Sequence, residues 1–196
     1  MDKLLQEIYI KLSALIEYTE IKDEKRTKNY LNALLSHIDA INRERNFELS
    51  EEQLKFLKRR QVVWVDFGFN IGEEFGGKHP AIILRTLSNN KSITVIPIDG
   101  QSNDREVEER RKIHDYWVRI PHINGMSSIL RWVNVYRVKE VSVLRVDFSK
   151  SHGASIPIDT LKIIDEYIEK YRYKPNYEKN VKTQKNQEKF QKTLDK

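Results

Sequence analysis

Between positions 61 and 100 the chain reads QVVWVDFGFNIGEEFGGKHPAIILRTLSNNKSITVIPIDG, three apolar, β-branched runs at 62–67, 81–87 and 93–98. Runs of this length and composition predict strands. The middle one is apolar almost throughout, so it is expected to be buried on both faces. The two connections differ. Ser88-Asn89-Asn90-Lys91 is a polar turn, whereas 68–78 holds four glycines and the adjacent pair Glu73-Glu74 and runs into His79-Pro80. Glycine loses more backbone freedom on folding than any other residue, so this loop is expensive to order. Loops held on rigid strands are where binding and catalytic groups concentrate.

The flanks are helical. Leu4, Leu5, Ile8, Leu12, Leu15 and Ile16 share one helical face, as do Leu31, Leu34, Leu35, Ile38 and Ile41. Two helices over 3–20 and 25–41 with a short charged link are expected to form an antiparallel hairpin. Such a hairpin cannot cover both apolar stripes alone and should dock on the body, a partner or a second copy. Ser50-Glu51-Glu52-Gln53 has the spacing of a capping box opening a short helix. Lys58-Arg59-Arg60 at its end suits the helix dipole, or would meet phosphate.

After the three strands, 99–112 is dense in mixed charge and is expected to be a solvated helical turn or loop. Further strands are predicted at 115–120 and 127–138, and a short one at 141–146. Pro157 is placed to start a C-terminal helix whose inner face carries Leu161, Ile164, Ile168 and Tyr171. The expected fold class is α+β: a small, strongly bent antiparallel β-barrel with a C-terminal helix, preceded by the helical hairpin. The expected division is a helical segment at 1–59, a barrel domain at 60–173 and a basic tail at 174–196 without order.

Composition narrows the chemistry. The chain has 196 residues and no cysteine, which excludes disulfides and thiolate sites and suits a reducing compartment. No apolar run approaches the ~18 residues of a membrane span, and the acidic, amphipathic N-terminus is no secretory signal; a cytoplasmic protein is expected. The formal charge is +6, yet 174–196 holds seven lysines against three acids, which leaves only +2 on the rest. Basicity of the body is therefore no argument for nucleic acid. No metal-ligand spacing, phosphate loop or Ser-His-Asp pattern is present, so neither metal nor cofactor is expected.

Three segments in order, Trp64-Val65-Asp66-Phe67-Gly68, the stretch from Gly72 through Gly76-Gly77-Lys78-His79-Pro80 to Leu84, and Thr94-Val95-Ile96-Pro97-Ile98, resemble the MazF/PemK toxin ribonucleases of type II toxin–antitoxin systems. Ser128 to Val138 is similar to that family's fifth strand. The likeness covers about 61–171 and leaves the N-terminal helices and the tail outside. It implies a homodimeric CcdB/PemK-like fold, cleavage of single-stranded RNA without a metal, and an antitoxin protein or peptide as partner. In the implied reaction the 2′-hydroxyl attacks the adjacent phosphate.

Two positions depart from the family's pattern. His79, beside Lys78, stands where the family has a catalytic arginine. Asp99 stands where it has Thr or Ser, with Ser102 the nearest hydroxyl. Histidine titrates near neutrality and serves metal-free acid–base chemistry. His79 and Asp99 are thus the expected catalytic pair, with Lys78 carrying charge for the phosphate. Arg85, Ser102, Asn134, Glu73, Gly76 and Gly77 are the remaining expected substrate contacts. The alternative is a degenerate barrel that has lost catalysis and serves as an RNA- or protein-binding module, or one whose hairpin regulates it in cis. Trp64 and Trp132 are expected in the core or an interface.

Overall fold

In the computed structural model, residues 2–22, 24–69, 75–87, 89, 91–127, 129–151 and 153–173 are described. The three apolar runs form β1 (Val62–Asp66), β2 (Lys78–Thr86) and β3 (Ser92–Gly100). They pair antiparallel, with Val62 opposite Ile82 and Ala81 opposite Pro97. The sheet continues through β4 (Trp117–Ile120), β5 (Arg131–Asn134), β6 (Lys139–Ser142) and β7 (Val146–Asp147) in the order β4-β5-β3-β2-β1-β7.

β3 changes partners along one edge: Ser92 to Val95 pair with β6, and Ile98 to Gly100 pair with β5. Pro97, which has no N–H to give a ladder, lies at the change. The sheet bends there and does not close into a barrel, because β4 and β7 remain at its ends. The expected α+β class is present, with seven strands instead of five or six. The predicted strand at 127–138 is shorter, since the chain leaves β5 through a 3₁₀ turn at Val135–Arg137.

Alternation along the central strands divides the core in two. Val62, Ile82, Leu84, Ile96 and Ile98 pack under the C-terminal helix α5 (Ile158–Ile168), which adds Leu161, Ile164 and Ile168. Val63, Val65, Ala81, Ile83, Ile93 and Val95 face the other way and are covered by Leu57, Val141, Val143 and Val146. Both faces of β2 are buried, as its unbroken apolar run required.

The helices α1 (Asp2–Lys22), α2 (Glu24–Glu44) and α3 (Glu51–Lys55) precede the sheet. α3 opens with the expected capping box: the Gln53 amide donates to Ser50 Oγ (3.2 Å), and the Ser50 amide donates to Gln53 Oε1 (3.0 Å). Arg59 Nη1 donates to Leu84 O (2.6 Å) and Nη2 pairs with Asp165, so this arginine ties the end of α3 to α5. α1 and α2 pack near their junction, where Thr27 is buried. α2 also meets the 3₁₀ turn at Val143–Arg145, and Tyr30 sets its ring edge-on to Phe69. Leu4, Leu5, Ile8, Leu35, Ile38 and Ile41 stay exposed. Docking on the body is therefore partial. No described helix is long and apolar enough to cross a membrane. The basic tail at 174–196 lies outside the described residues.

Ile96 of β3 is fully buried in the layer under α5. Ile96→Ala should cost about 2–5 kcal/mol, measured as a lower midpoint of chemical denaturation with an unchanged slope.

Candidate active site

Continuing the β2–β3 register two residues beyond Ala81 opposite Pro97 sets His79 level with Asp99. Both side chains fall on the face that carries Ala81, Ile83, Ile93 and Val95, at the end of that layer. The neck of the glycine-rich loop holds His79 from the other side. Gly68 and Gly77 take φ of 78° and 81°, a conformation that costs a residue with a side chain. The Gly77 amide donates to Gly68 O (2.6 Å), and the Phe67 amide donates to Gly77 O (2.9 Å). A Cβ on Gly77 would lie 3.7 Å from His79 Nε2. The imidazole also hydrogen-bonds the Gly76 backbone, and Phe75 lies against it with ring centroids 4.5 Å apart. Gly76 and Gly77 thus shape the site through the backbone.

Asp99 is 9% exposed. A carboxylate so placed needs charged partners, and two arginines supply them. Arg137, from the 3₁₀ turn after β5, puts Nη1 2.7 Å from Asp99 Oδ2. Arg111 puts Nη2 3.6 Å from the same oxygen. Arg111 belongs to α4 (Arg105–Ile113), formed by the segment expected to be solvated. That expectation fails at Glu108, which is buried, and at Arg111, whose side chain is only 11% exposed. Glu108 accepts from the Ser102 amide (2.8 Å), from Trp132 Nε1 (3.0 Å) and from Arg111 Nη1 (2.8 Å). Trp132 is in the core as expected, with its indole N–H committed to this network.

Arg137 is the member open to solvent, with its side chain 32% exposed. Its guanidinium carbon lies 4.9 Å from the Phe75 ring centre and 5.4 Å from that of Trp117. The two rings hold the cation in place beside His79, and cation–aromatic contacts of this kind add attraction.

Protonation equilibria follow from this geometry. Burial pushes the His79 pKa below its ordinary value. Asp99 and the Gly76 backbone pull it up, and Arg137 pushes it further down. Burial pushes the Asp99 carboxyl up, against the pull of Arg137, Arg111 and His79. The arrangement holds a neutral imidazole next to a fixed guanidinium at neutral pH.

The other expected contacts stand elsewhere. Lys78 has the opposite parity on β2 and points to the face of Asp66, its cross-strand neighbour, away from His79. Arg85 is exposed beyond a bulge toward the far end of β2, opposite Thr94. Ser102 Oγ accepts from the Asp104 amide (3.1 Å) ahead of α4, and Asn134 Oδ1 caps the 3₁₀ turn through the Tyr136 amide (3.0 Å). Glu73 lies outside the described residues. The sequence reading overlooked Arg137 and Arg111. Both sit within quoted segments, but only the partner change of β3 and the inward face of α4 bring them to Asp99.

In an NMR titration, His79 should protonate below the ordinary imidazole value of about 6.5. Asp99→Asn should lower its pKa further, because the carboxylate favouring the imidazolium is gone while Arg137 stays. A native value at or above the ordinary one, or a rise in Asp99→Asn, would contradict the electrostatics described.

The sequence model for the PemK-like, MazF-like toxin of type II toxin–antitoxin systems matches residues 58–171. Solved structures similar to this one include MazF (Form-I) from Deinococcus radiodurans, at 18% identity over 58% of this chain and 93% of that chain, with a TM-score of 0.41. An endoribonuclease in complex with its cognate antitoxin from Mycobacterial species matches at 13% identity over 60% and 95%, with a TM-score of 0.42. The MazE–MazF complex (Form-II) from D. radiodurans matches at 18% identity over 59% and 95%, with a TM-score of 0.40. No curated protein matches the chain by sequence. Because the family pattern spans more than half of the chain, from the end of α3 to the last turns after α5, the chain belongs to the PemK-like, MazF-like toxin family of type II toxin–antitoxin systems.

Proposed function

We propose that this chain is an endoribonuclease toxin that cleaves single-stranded RNA without a metal and is held in check by an antitoxin protein or peptide. The observation that carries the proposal is the meeting of His79, Asp99 and Arg137 at the neck of the glycine-rich loop. His79 replaces the family's arginine as a titrating group, and Arg137 supplies a guanidinium from a different part of the chain. The substituted positions thus retain a base and a cation side by side.

In this reading the neutral imidazole of His79 takes the proton of a 2′-hydroxyl as that oxygen attacks the neighbouring phosphorus. The bond from phosphorus to the 5′-oxygen breaks, and the leaving oxygen takes a proton from water. Arg137 faces the charge that gathers on the phosphoryl oxygens, where a fixed donor contributes most. Asp99 touches no substrate. It positions Arg137 and limits how far the His79 pKa falls. The products are a 2′,3′-cyclic phosphate and a free 5′-hydroxyl. A homodimer in the cytoplasm completes the proposal, on the family's pattern.

Purified protein in EDTA should cut single-stranded RNA and leave those end groups. His79→Ala and Arg137→Ala should each lower kcat by at least about 100-fold. The acid limb of kcat/KM should have its midpoint below about 6.5, since the base works in the deprotonated form and burial favours that form. Intact RNA under these conditions would instead mark the chain as a binding module.

A further inference from the structure

α2 does not lie flush on the sheet. Between its inner face and the strand ends of β1 and β7 runs a cleft of about 910 Å³, near the upper end of the ~300–1,000 Å³ usual for ligand sites. Four cations border it: Arg43 from α2, Lys78 from β2, and Arg145 and Lys150 from the segments flanking β7. None of the four forms an ion pair among the described residues. Arg59, Arg111, Arg137 and Lys170, outside the cleft, each have a carboxylate partner. Three carboxylates also line the cleft, but two of them serve local turns. Asp66 accepts from the Gly68 amide (2.9 Å), and Asp147 accepts from Ser149 Oγ (2.6 Å). Four cations thus face three carboxylates, a formal excess of one positive charge, with Lys150 favouring the ionised form of Asp147.

Aromatic rings stand among these cations. Trp64, half-buried on β1, has Lys150 5.7 Å from its ring centre. Tyr30 rises from α2 on the opposite wall. Unpaired cations interleaved with aromatic rings are the means by which proteins hold single-stranded nucleic acid, the cations meeting phosphates and the rings meeting bases. Lys78 sits in the cleft at the start of β2 and is the chain neighbour of His79 on the opposite face, so a strand held in the cleft reaches the catalytic candidates by passing around the start of β2.

We infer that the cleft between α2 and the β1–β7 edge is a binding site for single-stranded RNA flanking the cleaved bond, gripped by Arg43, Lys78, Arg145 and Lys150. This inference rests on the reading of the chain as an RNA-directed toxin but not on its catalysis. Tyr30 and Arg43 belong to a helix outside the family-matched residues, so this chain adds the site to the family's fold. The role expected of Lys78 in the reaction centre is thereby moved to substrate binding at a distance.

The test uses the full chain and a fluorescent, 2′-O-methylated oligouridine, which binds but cannot be cleaved. Arg43→Gln combined with Lys150→Gln should weaken binding about tenfold and reduce the slope of log affinity against log salt by about 1.4, two single-strand phosphate contacts. Trp64→Phe should reduce the quenching of tryptophan emission on binding, the remainder coming from Trp117 beside Arg137. Arg85→Gln, a cation exposed at the far end of β2 and outside the cleft, should leave binding of this probe near the native level. Native protein that binds in this manner yet never cleaves RNA would end the nuclease reading and leave the site standing. Unchanged affinity and slope in a double variant with native circular dichroism would overturn the site. So would displacement of the probe by polyglutamate at equal charge, which would assign the cleft to an acidic polypeptide. If the double variant fails to fold, a quench of undiminished amplitude in Trp64→Phe overturns the site by itself.

Discussion

The buried carboxylate of Asp99 is the constraint on which the functional end of this molecule depends. A carboxylate removed from water is unfavourable unless charge and hydrogen bonds replace the solvent. Here Arg137 approaches from the turn after β5 and Arg111 from α4. Removing one partner of such a buried pair typically costs about 3–5 kcal/mol. Two separate pieces of chain are thereby tied to the end of β3. The same carboxylate tempers the imidazole of His79, so the ion pairs that hold the structure together also set the chemistry of its most reactive side chain.

The support for Asp99 extends backward through α4. Glu108 is itself buried, and burial works against its ionised form. The Ser102 amide, the Trp132 indole and Arg111 outweigh that cost and hold its pKa below the ordinary value. A chain of hydrogen bonds, with an ion pair at 3.6 Å between Arg111 and Asp99, thus runs from the core tryptophan of β5 to the solvent-facing guanidinium of Arg137. Buried polar networks whose members are largely partnered rigidify a site. One atom remains outside the scheme: Arg111 Nε is buried without a hydrogen-bond partner, its guanidinium stacked 4.7 Å from the Trp117 ring centre. A site assembled from a loop neck, a helix and a 3₁₀ turn relies on these ties for its precision.

The two sides of β2 divide the work. His79 and Lys78 are consecutive, yet strand geometry sends them to opposite faces. His79 enters the network around Asp99, while Lys78 enters the cleft under α2. The N-terminal helices give the second face its outer wall and leave much apolar surface of α1 uncovered.

Much of this was legible in the chain itself. The apolar runs at 62–67, 81–87 and 93–98 define three central strands, and helical spacing defines α1, α2 and α5. The Ser50–Gln53 spacing marks a helix start. These features depend on neighbours within a few residues, and local sterics and hydrogen bonding settle them. The loop ending in His79-Pro80 likewise announces the family, because its glycines and following strand are contiguous. Other features were decided only in three dimensions. The burial of Glu108 and near-burial of Arg111 inside a segment rich in charge depend on Asp99, Trp132 and Trp117, which are distant in sequence. The meeting of Arg137 with His79 depends on β3 leaving β6 for β5 at Pro97. The separation of Lys78 from the catalytic candidates follows from the parity of one strand, and the use of Ser102 and Asn134 as caps follows from turns whose positions the chain alone leaves open. The sequence by itself determined the elements and the family, because those rest on local pattern. Tertiary structure alone decided which charges meet, because a buried charge takes its partner from whichever segment packing brings within reach.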